Sequence, residues 1–140
     1  MQDMMNEIAP KRVISPVSVA DNTAQVGQII DRQGFNALTY VIATGSLADA
    51  DATFAVTIDE GDVSNLSDAA AVAAADLIGT TALASFTFAS DDKCFKLGYK
   101  GNKRYTRLTI TPTANASAAV ICAVAILGEP SMMPTVNPPA

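Results

Sequence analysis

Residues 53–59 alternate without a break: Phe54, Val56 and Ile58 fall on one side, and Thr53, Ala55, Thr57 and Asp59 on the other. A period of two over such a run is that of a strand with one face in a core and one toward solvent. Weaker versions flank it. Val13, Ile14, Val17 and Val19 make a first extended run, in which Pro16 marks an edge or a bulge. Residues 23–31 alternate loosely around Val26, Ile29 and Ile30. After a turn at residues 33–36, residues 37–44 form an apolar, β-branched run of core-strand character. Residues 84–89, 94–99 and 105–111 read as three more strands, and Lys100-Gly101-Asn102-Lys103 as a hairpin turn joining the last two, since Gly and Asn tolerate positive φ. Residues 118–127 form a last strand that is apolar on both faces. Within residues 60–81 the pattern is ambiguous: 67–75 fits either a short helix capped by Ser67 or an irregular excursion carrying alanines over the sheet.

About seven or eight short strands separated by turn residues predict an all-β fold, an antiparallel β-sandwich or jelly roll. Strand and helix do not alternate, which argues against a parallel α/β sheet. The domain is expected to span residues 13–127, with an extended N-terminal arm at 1–12 and a Pro-rich C-terminal tail at 128–140, where four prolines forbid regular structure.

Composition adds one point. The chain is 49% hydrophobic but has no tryptophan, so its core is built from small and β-branched side chains. Charge is only 16%, below the ordinary quarter of residues, which predicts that a partner covers part of the surface. The longest apolar stretch, 116–127, is too short to span a bilayer, so no membrane association is expected. Residues 1–10 carry acids and no apolar run, so no signal peptide is expected and a cytoplasmic site of synthesis fits. Cys94 and Cys122 lie in strand-like runs and are read as buried free thiols.

There is no histidine, which removes the commonest general base and metal ligand. No glycine-rich phosphate loop and no zinc-ligand spacing occurs. We therefore assign no catalytic, cofactor-binding or metal-binding residue and expect no enzyme and no small-molecule substrate. Asp49 with Asp51, and Asp59, Glu60 and Asp62, supply the oxygen ligands calcium prefers, but the loop pattern of a dedicated site is missing and solvated acidic loops fit better.

Charge is segregated along the chain. Nine acids and no base lie from Asp49 to Asp92; six bases and no acid lie from Lys93 to Arg107. This favours docking of one subunit's acidic loops against a neighbour's basic hairpin, through Lys96, Lys100, Lys103, Arg104 and Arg107, over the alternative of a merely solvated face. Nucleic acid ranks below a protein partner, because the chain carries a net charge of −5 and the basic patch is small. In the arm and tail, Met4, Met5, Ile8, Met132, Met133 and Val136 are candidate anchors on adjacent subunits, since methionine fits irregular grooves.

Over residues 13–127 the sequence resembles a family of small virion-associated proteins of tailed bacteriophages. The resemblance is carried by Asp31-Arg32-Gln33-Gly34-Phe35, residues 45–51, and Lys96-Leu97-Gly98-Tyr99 through Arg104-Tyr105. It implies a structural component of the virion. The reading preferred within that family is a capsid decoration (cement) protein on the capsid surface, partnered by the major capsid protein and by itself as a homo-oligomer, a trimer by preference. A head–tail connector or ring-forming tail component is the alternative, and a calcium-binding or host-surface binding β-module a more distant one.

Overall fold

A computed structural model describes residues 3–138, so the first two residues of the expected arm and the last two of the expected tail lie outside the described residues. The strands run in the order β1 (Ala9–Val19), β2 (Gln25–Val26), β3 (Ile30–Asp31), β4 (Phe35–Leu47), β5 (Thr53–Gly61), β6 (Ala70–Ala71), β7 (Leu77–Ile78), β8 (Phe86–Thr87), β9 (Cys94–Tyr99), β10 (Tyr105–Thr113) and β11 (Ala119–Pro130). Sheet A has the order β1-β11-β4-β9-β7. Sheet B has the order β2-β10-β5-β6, with β3 also on β10 and β8 on β5. All pairings are antiparallel. The fold is the expected antiparallel β-sandwich. The strand count is higher than expected because five strands are two residues long, too short to carry a period.

The core lies between the sheets. Leu38, Tyr40 and Ile42 of β4 and Ile121, Ala123, Ala125 and Leu127 of β11 meet Phe54, Val56 and Ile58 of β5 and Leu108 and Ile110 of β10. Phe54, Phe86 and Phe95 stack in a row, with ring centroids 4.8 and 5.4 Å apart. One polar contact crosses the core: the Tyr40 hydroxyl lies 2.7 Å from Thr106 Oγ1, both residues buried. Pairing satisfies two hydroxyls that would otherwise be desolvated without partners. Burial holds the Tyr40 phenol well above its ordinary pKa.

Both sides of the sandwich are closed by crossing backbone. On one side Gly27 N donates to the Leu108 carbonyl of sheet B, and Gln28 N to the Val13 carbonyl of sheet A. A Cβ at Gly27 would collide with Leu108 O and Val13 Cγ1, so glycine is needed for this close passage. On the other side, the ambiguous stretch proves to be an excursion with no helix at 67–75. It pairs with β5 as β6, turns through a 3₁₀ turn at Ala74–Asp76, and joins β9 as β7. Strand edges are thereby covered, which suppresses edge-to-edge pairing. The edge strand β1 carries Pro10 and Pro16, with register breaks between Arg12 and Ile14 and between Ile14 and Val17, as expected of Pro16.

Several boundaries move. Strand β1 starts at Ala9, within the expected arm, because Ala9 to Arg12 pair with Leu127 to Val124. Strand β11 runs on to Pro130, within the expected tail, opposite Phe35. The run at 84–89 yields only the two residues of β8, since residues 81–84 form a single helical turn, α1 (Thr81–Ala84), capped by Thr80 Oγ1 accepting from Leu83 N. The cysteines are free, but Cys94 is exposed and Cys122 half-buried, contrary to the buried reading, because both occupy outward positions of sheet A.

The largest correction concerns residues 100–104. Strands β9 and β10 do not form a hairpin: β9 pairs with β4 and β7 in sheet A, and β10 with β5, β2 and β3 in sheet B. The segment is a corner passing between sheets. Gly101 serves it by close approach, not by positive φ: a Cβ there would overlap the Tyr99 hydroxyl.

Candidate functional site

The corner at residues 99–107 brings the two charge blocks together inside one subunit. Strand β10 lies beside β5, which places Arg107 opposite Asp59 and Thr106 opposite Glu60. Arg107 Nη2 is 3.6 Å from Asp59 Oδ2. Lys103 Nζ is 2.6 Å from Asp62 Oδ2, and this bond raises the lysine pKa. Arg104 donates Nε and Nη2 to the two oxygens of Asp31 at 2.9 and 2.8 Å while lying over the Tyr105 ring. That bidentate bond holds the Asp31 carboxyl below its usual range. Arg32 donates to the carbonyls of Gly101 and Lys103 and covers the Tyr99 ring. The Tyr99 hydroxyl donates to Glu60 Oε2 at 2.5 Å and accepts from Lys103 N at 3.1 Å. Tyr99 is 2% exposed, and burial followed by the Glu60 carboxylate pushes its phenol up to about 12.

The structure therefore pairs Lys103, Arg104 and Arg107 within the chain, where the charge blocks predicted pairing between subunits. The reason is topological: which strands lie side by side is not visible in a run of charges. Lys96 and Lys100 stand apart from these pairs. Lys96 is exposed on the outer face of sheet A, and Lys100 is exposed beside the corner, its backbone N–H donating to the Asp76 carbonyl.

The acidic loops have structural duties. Asp49 accepts from Asp51 N at 3.1 Å and from Ala116 N at 2.7 Å, tying the loop before β5 to the loop before β11. The Ala116 bond is the main reason its carboxyl falls to about 2. Asp68 accepts from Asp62 N and Val63 N at the end of β5. Among the described residues no three His, Cys, Asp or Glu side chains converge as a metal site would require.

The arm and tail meet at the end of the sandwich where β1 begins and β11 finishes. Thr135 N donates to the Asn6 carbonyl at 3.0 Å, Thr135 Oγ1 to the Ile8 carbonyl at 2.6 Å, and Ser131 N to the Gly34 carbonyl at 2.8 Å. Met5, Ile8 and Val136 line one groove between the two segments. A second, of about 410 Å³, is lined by Phe35, Met132 and Val136 among others. Ile8 is half-buried in this junction. Met4, Met5, Met132, Met133 and Val136 remain exposed, Met132 at 83%. Four of the expected anchors, Met5, Ile8, Met132 and Val136, are thus brought onto adjoining apolar grooves, while Met133 lines a more polar one with Asp3, Asn6 and Glu7.

A further surface escaped the sequence reading. Outward positions of β4 and β11 are Ala37, Thr39, Val41, Ala43 and Gly45, and Val120, Cys122, Val124, Ile126 and Gly128, with no charge among them. The signal was present: residues 118–127 read as apolar on both faces. It could not be turned into a surface without knowing that β4 lies alongside.

No family model and no curated protein matches the chain. Among solved structures, the N-terminal CBM22-1–GH10 modules of the Clostridium thermocellum xylanase 10B, complexed with xylohexaose, align at 11% identity and TM-score 0.44 over 91% of this chain, which spans 27% of that one. YomS, derived from the SPBc2 prophage, aligns at 11% identity and TM-score 0.42, covering 84% of this chain and 94% of its own. The C-terminal family 22 carbohydrate-binding module of the same xylanase aligns at 7% identity and TM-score 0.42, covering 94% and 100%. Likenesses this distant assign no function to the chain.

Proposed function

We propose that this protein is a non-catalytic structural subunit of a tailed-bacteriophage virion, and within it a capsid decoration (cement) protein that braces neighbouring major-capsid subunits. The observation that carries the reading is the convergence of arm and tail: Met5 and Ile8 of the arm and Met132 and Val136 of the tail line adjoining apolar grooves held in place by the Thr135 bonds, with Met4 and Met133 exposed next to them in sequence. Flexible thioethers gathered on one pole suit the irregular grooves of a protein lattice better than a shaped ligand. The resemblance of residues 13–127 to small virion proteins supplies the setting. A subunit that binds only the assembled shell stabilises it by mass action, and attachment through several points multiplies that effect.

The test is binding to undecorated shells. Replacing Met132, Met133 and Val136 together by serine leaves the sandwich folded by circular dichroism and lowers occupancy at least tenfold; unchanged occupancy overturns the reading. Counting copies per particle separates the two virion stations: copies in the hundreds support decoration, and a single ring of subunits supports the connector.

A further inference from the structure

The outer face of sheet A has a specific complement on the same molecule. Register places Arg12, Val124, Val41 and Lys96 in one row across β1, β11, β4 and β9. The flanking rows hold Pro10, Ile126, Thr39 and Gly98 on one side, and Cys122, Ala43 and Cys94 on the other. Ile78 lies over Gly98, where a Cβ would come within 2.9 Å of it. The face is thus an apolar floor margined by two cationic residues whose backbone positions lie about 14 Å apart, three strand spacings. The carboxylates next in sequence, Asp91 and Asp92, lie at the end of the floor, where Asp91 accepts from Leu47 N.

The crossing segment on the β6 side has the opposite character. Ala69, Ala70, Ala71, Ala73, Ala74 and Ala75 are exposed, with Asp68 and Asp76 at the two ends. Backbone bonds pin it along the edge of the sandwich: Val72 N to Ile58 O, and Lys100 N to Asp76 O. It presents apolar surface margined by carboxylates.

We infer that the outer face of sheet A is the seat of this acidic-margined edge from a second copy of the chain, in a head-to-tail contact. Charge complementarity selects the occupant: edge on face brings Asp68 and Asp76 toward Arg12 and Lys96, whereas face on face would set cations against cations. Face and edge are different surfaces, so every copy in contact keeps one of each free for the next. Such a heterologous contact closes into a ring when the rotation allows. The inference goes beyond the proposal above, which concerns attachment through the arm and tail, and attachment to a shell does not enter its test.

The test is the mass in solution of the whole chain and two variants, by sedimentation. Val124→Glu spoils the face and Ala71→Arg spoils the edge; both positions are outward and exposed. Should either lose its circular-dichroism spectrum, Arg12→Glu with Lys96→Glu replaces the first and Asp76→Lys the second. The expected result is a multiple of 14.5 kDa for the unaltered chain and the single mass for each variant. An equal mixture of the two variants is expected to recover twice the single mass, since one good face meets one good edge. An unaltered chain that sediments singly, variants that still assemble, or a mixture that stays single each overturns the inference.

Discussion

The two outer faces of the sandwich share one core and differ in what they turn outward. Along β5 and β10 the outward positions include Thr53, Ala55, Thr57, Thr109, Thr111 and Thr113, ending in the Arg107–Asp59 pair. Hydroxyls there keep their water, and threonine favours the pleated backbone, so this face is complete in solvent. Along β4 and β11 the outward positions are Val41, Ala43, Val120, Val124 and Ile126, with cations only at the margins. Both sheets satisfy the same internal constraint, so the difference is not owed to the fold. It leaves the face of sheet A as exposed apolar surface, as Met132 and Met133 are in the tail.

The largest effect should separate inside from outside on one strand. Leu108 faces the core of sheet B and Thr109 faces out. Leu108→Ala should cost about 2–5 kcal/mol and Thr109→Ala within about 0.5 kcal/mol by urea denaturation. Comparable costs would break the two-sided description of sheet B.

Next in size is the corner linking the sheets. Tyr99→Phe removes a half-buried hydrogen bond to a carboxylate and should cost about 1.5–3 kcal/mol. The phenol is raised from 10 to about 12 in the folded chain. Its contribution is therefore complete below pH 10 and is lost as pH climbs from 10 toward 12, where the unfolded chain ionises first. Thermal melts across that window should decline in the unaltered protein and decline less in Tyr99→Phe.

A smaller effect distinguishes paired from unpaired cations. Lys103→Ala removes the bond to Asp62 and should lower stability slightly, the loss shrinking as salt screens the pair. Lys100→Ala, with no side-chain partner among the described residues, should leave chemical denaturation unchanged. Equal responses would return the corner to a merely solvated patch.

The smallest effect on folding sharpens the comparison most. Val124→Thr gives sheet A the outward chemistry of sheet B. It should alter the stability of the isolated chain by less than about 0.5 kcal/mol while weakening association measured by sedimentation. A large loss of folding stability would mean that the face is part of the core.

The alternation at residues 53–59, the apolar run at 37–44 and the doubly apolar run at 118–127 were legible because the side chains of a strand reveal its two environments locally. The exposed apolar side chains of Met132, Met133 and Val136 were legible too, as apolar residues in a segment that proline keeps out of regular structure. The Lys100–Arg104 corner was misread because its glycine and asparagine resemble a hairpin turn, while the choice between turning back and crossing over rests on which strands β9 and β10 join. Of the five shortest strands, β2, β3 and β8 lie inside runs that read as longer strands and β6 and β7 inside the ambiguous stretch, since two residues carry no period of their own.

Strand character and the inward side of each strand are thus properties of the sequence alone, set by steric preference and by the cost of burying polar groups. Which strands lie side by side was decided by the tertiary structure. Packing of distant segments brought Asp31, Asp59 and Asp62 onto the basic corner, set Thr135 against Asn6 and Ile8, and joined the outward residues of β4 and β11 into one apolar face. These pairings join residues far apart in the chain, and their free energy comes from the shared core, which no local pattern records.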